Sequence, residues 1–238
     1  MTYFFLPSRP DEAAFLTVKE KEWIAAELGH EARQKANKQA HSPWRGLSHR
    51  HVWHLALISF AFQIGQYALF FFMPQAVRSL PGVTSNSVTG VLVMIPYAAG
   101  LLAMIFISRR SDHKLERRYH VAIPAVVGGL LLMSFGSTSS TLLSVVLWSV
   151  AAMGIIGMVS PFWSLPNEFL TGVSAASGIA VVTSIGSLGG FVGPSIIGVV
   201  AGGAGGLYWG LALAGFALWV SAALVLLLPK KMHQISLS

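Results

Sequence analysis

Leu142-Leu143-Ser144-Val145-Val146-Leu147-Trp148-Ser149-Val150-Ala151-Ala152-Met153-Gly154-Ile155-Ile156-Gly157-Met158-Val159 runs without a single charge, and the reading of this stretch decides the fold. It is long enough to approach the roughly 20 apolar residues that a bilayer-crossing helix needs. Its apolar residues come in blocks rather than in the strict alternation of a membrane β-strand. Helices satisfy every backbone amide within their own segment, which hydrocarbon demands. Working outward, Glu168 is the sole formally charged side chain between Tyr119 and Pro229. A soluble stretch of that length would carry roughly 28 charges. The whole chain of 238 residues is 54% hydrophobic and 11% charged, with a mean hydropathy of +0.64. These figures exclude an ordinary soluble enzyme and identify an integral membrane protein of the all-α class. The absence of Cys excludes disulfides, thiolate metal sites and a cysteine nucleophile.

Six spans are expected, at 52–77, 87–108, 119–136, 141–164, 173–201 and 207–228, within a transmembrane bundle over 51–229. Turn chemistry separates them at Pro81-Gly82, Gly136-Ser137-Thr138 and Gly205-Gly206. Residues 8–50, the loop 109–118 and the tail 230–238 hold 15 of the 16 Lys and Arg, leaving Arg78 apart. The net charge of +7 is therefore placed on one side of a membrane rather than spread for nucleic acid. The positive-inside rule makes that side cytoplasmic, for both terminal segments. Residues 1–7, Met1 to Pro7, are too short to span and are read as the end of a preceding membrane helix. The 8–50 segment reads as a cytoplasmic connector. Thr17-Val18-Lys19-Glu20 has capping-box spacing, Trp23, Ile24 and Leu28 share one face, and Glu31 and Lys35 stand at i,i+4.

Polar residues are unevenly distributed among the spans. Ser59, Gln63, Gln66 and Tyr67 form one stripe on the first. Ser149, Ser160 and Trp163 lie on the fourth, and Thr183, Ser184 and Ser187 on the fifth, whereas the third and sixth are plain. Polar first and fourth helices fit two three-helix inverted repeats; side-chain glue between helices is the plainer account of any single serine, whereas Gln63 with Tyr67 on one face calls for a wet or polar neighbour as readily. The fifth span carries two overlapping small-xxx-small pairs, Gly186 with Gly190 and Gly189 with Gly193, followed by Pro194. Close helix packing explains the glycines; the prolines add the expectation of broken, movable helices. No phosphate-binding loop, HExxH spacing or nucleophile set is present, so no cofactor, metal site or catalytic residue is expected. His54 and His120 stand at span entrances, and Glu168 precedes the fifth helix as a cap or gate.

Three strings carry a resemblance: Leu6-Pro7-Ser8-Arg9-Pro10-Asp11-Glu12-Ala13 with Leu16 and Glu20-Lys21-Glu22-Trp23; Arg109-Arg110-Ser111-Asp112-His113 through Arg117-Arg118; and Pro161-Phe162-Trp163-Ser164-Leu165-Pro166 continuing through Ala175-Ala176-Ser177-Gly178 to Gly193-Pro194. Over nearly all its length the chain resembles the C-terminal half of the major facilitator superfamily, within it the anion:cation symporters for organic acids. The second string resembles the superfamily's Asp-plus-basic loop, without its usual glycine and with His113 in place of Arg or Lys. Thr183 and Ser187 replace Asn residues frequent in that family. The resemblance implies proton-linked symport of a small organic anion by alternating access in a bacterial-type inner membrane. It implies that Gln63, Gln66, Tyr67, Trp163, Thr183 and Ser187 offer hydrogen bonds or contacts to substrate, with Gly186, Gly189, Gly190, Gly193, Pro194 and Asp112 in packing and gating, and the glycine-rich helix sliding against the other half. The partners it implies are the organic anion, a proton, membrane lipid and a missing N-terminal transporter half. A self-pairing six-helix half transporter, a membrane enzyme or scaffold, and an inert fragment are the alternatives.

Overall fold

The computed structural model describes residues 17–27, 50–138, 140–169, 173–203 and 206–229, with the side chains of 167–169 and 173–175 left out. The expected helix stub at 1–7, the Glu31–Lys35 pair, the Glu168 side chain and the tail after Pro229 lie outside the described residues. We label the helices α1 (18–27), α2 (Arg50–Arg78), α3 (Asn86–Lys114), α4 (Arg118–Met133), α5 (Thr141–Gly157), α6 (Val159–Phe169), α7 (Val173–Ala201) and α8 (Gly206–Leu226). The described residues are all-helical, with no strand. α2, α3, the α5–α6 unit, α7 and α8 are each long and apolar enough to cross a membrane. α4, at 16 residues, spans about 24 Å, and the turn at 134–136 lengthens it: Ser134 N–H donates to Leu130 O and Phe135 N–H to Leu132 O. The fold is thus a six-helix membrane bundle.

Local chemistry accounts for the helix ends. Ser85 and Ser140 are extended N-caps whose hydroxyls accept from Val88 and Leu143 N–H. Gly82 and Gly136 have φ of 78° and 76°, the left-handed region that the turns at those points require. Leu115 also sits there, at φ 50°, where it closes α3; a glycine would do so without the Cβ penalty. The fourth span divides at Met158, three residues before Pro161, whose ring removes a donor to the Gly157 carbonyl. Pro194 was expected to break the fifth span, yet α7 runs through it as one helix, just as α2 runs through Pro74 and α3 through Pro96.

The pairing of spans has an internal symmetry. Counting the α5–α6 unit as span four, span one (α2) packs most closely on span five (α7), span two (α3) on span four, and span three (α4) on span six (α8). Exchanging the two three-helix halves maps this pattern onto itself, as an inverted repeat requires. Glycine makes the closest of these approaches. A Cβ on Gly129 would overlap Trp219 Cδ1 at 2.8 Å, where α4 meets α8. Gly189 faces the main chain of α2, with the Phe60 carbonyl carbon 2.9 Å from where a Cβ would stand, and Gly193 likewise meets Ile64 Cα at 3.0 Å. Cross-helix hydrogen bonds supplement the packing: Ser221 Oγ donates to Ile58 O at 3.3 Å and Trp219 Nε1 to Val126 O at 3.0 Å.

α1 stands outside this bundle, with Trp23 68% exposed. Its start is a reciprocal capping box: Thr17 N–H and Oγ1 both donate to Glu20 Oε2 at 2.8 Å, and Glu20 N–H donates to Thr17 Oγ1 at 3.4 Å. These bonds, the backbone one foremost, hold the Glu20 carboxyl below its ordinary value of 4.5.

Two measurements test these packing and capping arguments. Gly189→Ala should destabilise the detergent-solubilised chain by about 1–3 kcal/mol, because the new methyl meets backbone rather than a movable side chain. Gly198→Ala, where a Cβ would meet nothing within 4 Å, is the control and should leave thermal unfolding unchanged or raised. For α1, a depressed folded-state pKa stabilises the helix above the unfolded carboxyl value, and the contribution is lost as pH falls through the lowered value. Amide protection over 18–27, corrected for intrinsic exchange, should be flat above the ordinary 4.5 and fall below it. Glu20→Gln should remove most of that dependence.

Candidate substrate-facing surface

The polar stripe of α2 meets the glycine face of α7. Ser59 is fully buried and Gln63 is 8% exposed, while Gln66 and Tyr67 are half-buried. A Cβ on Gly186 would overlap the Ser59 hydroxyl and lie 3.3 Å from Gln63 Nε2. One on Gly190 would lie 2.8 Å from Tyr67 Cε2. Gly186, Gly189, Gly190 and Gly193 are all buried, and the helix that covers them is α2 of this same bundle. Within this bundle the missing side chains bring α2 into backbone contact with α7. What α7 leaves open is its other side, where Thr183, Ser184, Ser187 and Phe191 are exposed and Pro194 is half-buried.

Thr183 and Ser187 lie within three residues of Gly186 but on the exposed side of α7, while Gln63 is buried against Gly186. Trp163, half-buried on α6, is reached through an aromatic chain. Its ring stands edge-on to Phe162 at 5.2 Å, and Phe162 packs on Phe62 at 5.3 Å, next to Gln63. Tyr67 stacks on Phe71 at 5.9 Å, with Phe70 edge-on at 6.4 Å and Tyr97 of α3 beyond it. The six candidate residues thus lie around the α2–α7 seam and the neighbouring α6, not scattered through the bundle. Among the described residues only Thr183 of the six makes a side-chain hydrogen bond, from Oγ1 to Ile179 O at 2.8 Å. The two glutamine amides, the tyrosine hydroxyl and the indole N–H keep their capacity for another partner. Ser59 Oγ, buried against Gly186, also has no partner. The surface offers neutral donors and acceptors beside aromatic faces, and no group of three or more His, Asp or Glu that would hold a metal occurs among the described residues.

The charged chemistry lies at the other end of α3. Asp112, 63% exposed, forms an ion pair with Arg117. Arg117 Nη1 also donates to Ser111 Oγ at 3.1 Å, and Ser111 Oγ donates to Glu116 O at 2.8 Å. The Glu116 carboxylate accepts from Tyr119 N–H at the start of α4 and lies 3.2 Å from His120 Nδ1. Arg118 reaches across to the last carbonyls of α8, Val225 O and Leu226 O, and His54 Nε2 bonds Leu224 O at 2.9 Å. Cationic groups at a helix C-terminus satisfy orphan carbonyls and the dipole together. Sequence reasoning left His54 as an interfacial residue and gave Arg118 no separate role; the signal for both lies in a helix more than 100 residues away. Arg78, the lone cation at the opposite end, donates to Asn86 Oδ1 at 2.6 Å.

Comparison with known proteins agrees with this architecture. The model of the Major Facilitator Superfamily matches residues 1–194. The chain is 35% identical over 234 residues to the provisionally named metabolite transport protein NicT of Pseudomonas putida, covering 98% of this chain and 53% of that protein. It is 36% identical over 232 residues to a provisionally named tartrate transporter of Agrobacterium vitis, covering 95% and 52%. It is 33% identical over 193 residues to the inner membrane transport protein RhmT of Escherichia coli, covering 81% and 44%. The chain spans about half the length of these relatives. An all-helical bundle whose spans pair by a repeat, joined to a family match over most of its length, leads to one assignment: the chain belongs to the Major Facilitator Superfamily.

Proposed function

We propose that this chain forms one of two bundles of a transporter that moves a small organic anion, coupled to a proton, by alternating access. The observation that carries the reading is the α2 stripe. Gln63, Gln66 and Tyr67 are large polar groups in an apolar bundle, without side-chain hydrogen bonds among the described residues, packed beside a helix that exposes Thr183 and Ser187. Polar groups at membrane depth face a wet cavity or a partner rather than lipid. Tartrate, the substrate in the names of two relatives from Agrobacterium vitis, is a hydroxylated dianion, and such a solute suits amide and hydroxyl donors. No cation stands among the six residues, so in this reading a second six-helix bundle, facing α7, supplies charge for the carboxylates and the proton-carrying group. The half-length match to the relatives supports that division of labour. The basic loop at 109–118 and the two terminal segments then lie on the cytoplasmic side of an inner membrane.

Uptake of radiolabelled tartrate into vesicles under an imposed pH gradient tests this, with the chain alone and with a co-expressed amino-terminal six-helix half. Uptake is expected only with both halves. Tyr67→Phe, losing one hydrogen bond to a charged solute, should lower uptake about tenfold, and Trp163→Ala should lower it further, with membrane insertion unchanged. Uptake unchanged in both variants removes these residues from the site; uptake by the chain alone, with a homodimer on crosslinking, replaces the reading with a self-pairing carrier.

A further inference from the structure

The repeat symmetry of the bundle fails most clearly at one place. Spans five and six, α7 and α8, pack along one another; their counterparts under the repeat, α3 and α4, scarcely touch, although both pack on α5. The result is a groove of about 460 Å³. Its floor is Val150, Met153 and Gly154 of α5, and its walls include Phe106 of α3 and Ile123 of α4. Phe106 is 66% exposed and Ile123 61%. The groove lies within the apolar part of the spans, and every lining residue is apolar or glycine.

α3 and α4 converge at one end of the groove, because only 115–117 join them. On α3 the exposed wall continues as Leu102, Phe106, Arg110 at successive helical turns, with Arg109, His113 and Lys114 beside it. Arg110 stands about 6 Å further along the axis than Phe106. Arg109, Arg110 and Lys114 are exposed and have no ion pair or hydrogen bond among the described residues. The nearby carboxylates are already committed, Asp112 to Arg117 and Glu116 to His120 and the α4 N-terminus. Tyr119, half-exposed, marks the same level on α4, where aromatic rings sit among headgroups.

We propose that this groove and the basic ridge at its mouth bind one anionic glycerophospholipid, with an acyl chain along α5 between α3 and α4 and the phosphate on Arg109, Arg110 and Lys114. The charge pattern selects this occupant. Basic pockets between spans hold anionic headgroups, and a dry slot open to the bilayer takes hydrocarbon. A second copy of the chain placed on this face by a two-fold axis would bring the same uncompensated cations to the same level, and repulsion disfavours it.

The test uses the chain reconstituted in nanodiscs of phosphatidylcholine and phosphatidylglycerol, re-extracted in mild detergent, with retained lipid measured by mass spectrometry. Phosphatidylglycerol should be enriched about tenfold over its share of the bilayer. The triple variant R109Q/R110Q/K114Q should lose the enrichment, and Met153→Trp, which fills the floor, should lower retention of both lipids, with helical circular dichroism unchanged in each. A phosphatidylglycerol carrying a photoreactive acyl chain should label unmodified protein within 102–107 and 123–127. Equal retention of the two lipids, enrichment that survives neutralisation, unchanged retention in Met153→Trp, or labelling confined to other segments would each overturn the proposal.

Discussion

Helices in hydrocarbon gain nothing from apolarity when they touch, since the lipid they leave is as apolar as the neighbour they meet; contact has to come from close fit. The α2–α7 seam is where this bundle achieves it. Four glycines present bare backbone, and α2 lays Ser59, Phe60, Ile64 and Tyr67 against them. The same seam sets the position of every candidate substrate group on those two helices. A wider separation would let Gln63 and Tyr67 fall back into the space that glycine leaves, and the distance from them to Thr183 and Ser187 would no longer be fixed. Packing and polarity on this seam are therefore one design: absent side chains on α7 hold in place the large ones on α2.

The repeat gives a second level of order. Pairings α2·α7 and α3·α5 are equivalents, as are α2·α8 and α4·α5, and α4·α8 is its own counterpart. Equivalent backbones have received different side chains. The α2·α7 pair places amides, a phenol and hydroxyls near its edge, whereas the α3·α5 pair is apolar, with Gly100 against Ile156 and Gly157 against Ile107. Divergence of this sort gives two equivalent faces of a symmetric scaffold different chemistry. The gap between α3 and α4 is the same divergence seen in packing rather than in polarity.

The sequence made some of this readable and hid the rest, for physical reasons. A run from Tyr119 to Pro229 with Glu168 as its one charge leaves only lipid as solvent, so the class of fold is written in composition. Turns at Gly82 and Gly136 and the Thr17–Glu20 capping box are local chemistry, each complete within a few residues. Helical spacing put Ser59, Gln63, Gln66 and Tyr67 on one stripe, and four glycines on another, but carried no information that the two stripes meet. Proline was an uneven guide: α7 runs unbroken through Pro194, while the fourth span divides at Met158, just before Pro161. The capping of α8 by His54 and Arg118 was out of reach, since it depends on three helix ends being gathered at one level.

That gathering explains how the charged end is arranged. Carbonyls 224–226 end α8 with no basic residue in its own last turn. They take His54 from α2 and Arg118 from α4 instead, so three helix ends are tied by groups that belong to different spans. Asp112 and Arg117 close the α3–α4 hairpin in the same way, each charge compensated locally. The cations left over, Arg109, Arg110 and Lys114, are exposed on that hairpin and have no ion pair or hydrogen bond among the described residues. Five of the 16 Lys and Arg lie within residues 109–118 and concentrate their field there. The division within that field follows what each cation can reach: those turned inward fasten helix ends to one another, and those turned outward are without a partner among the described residues.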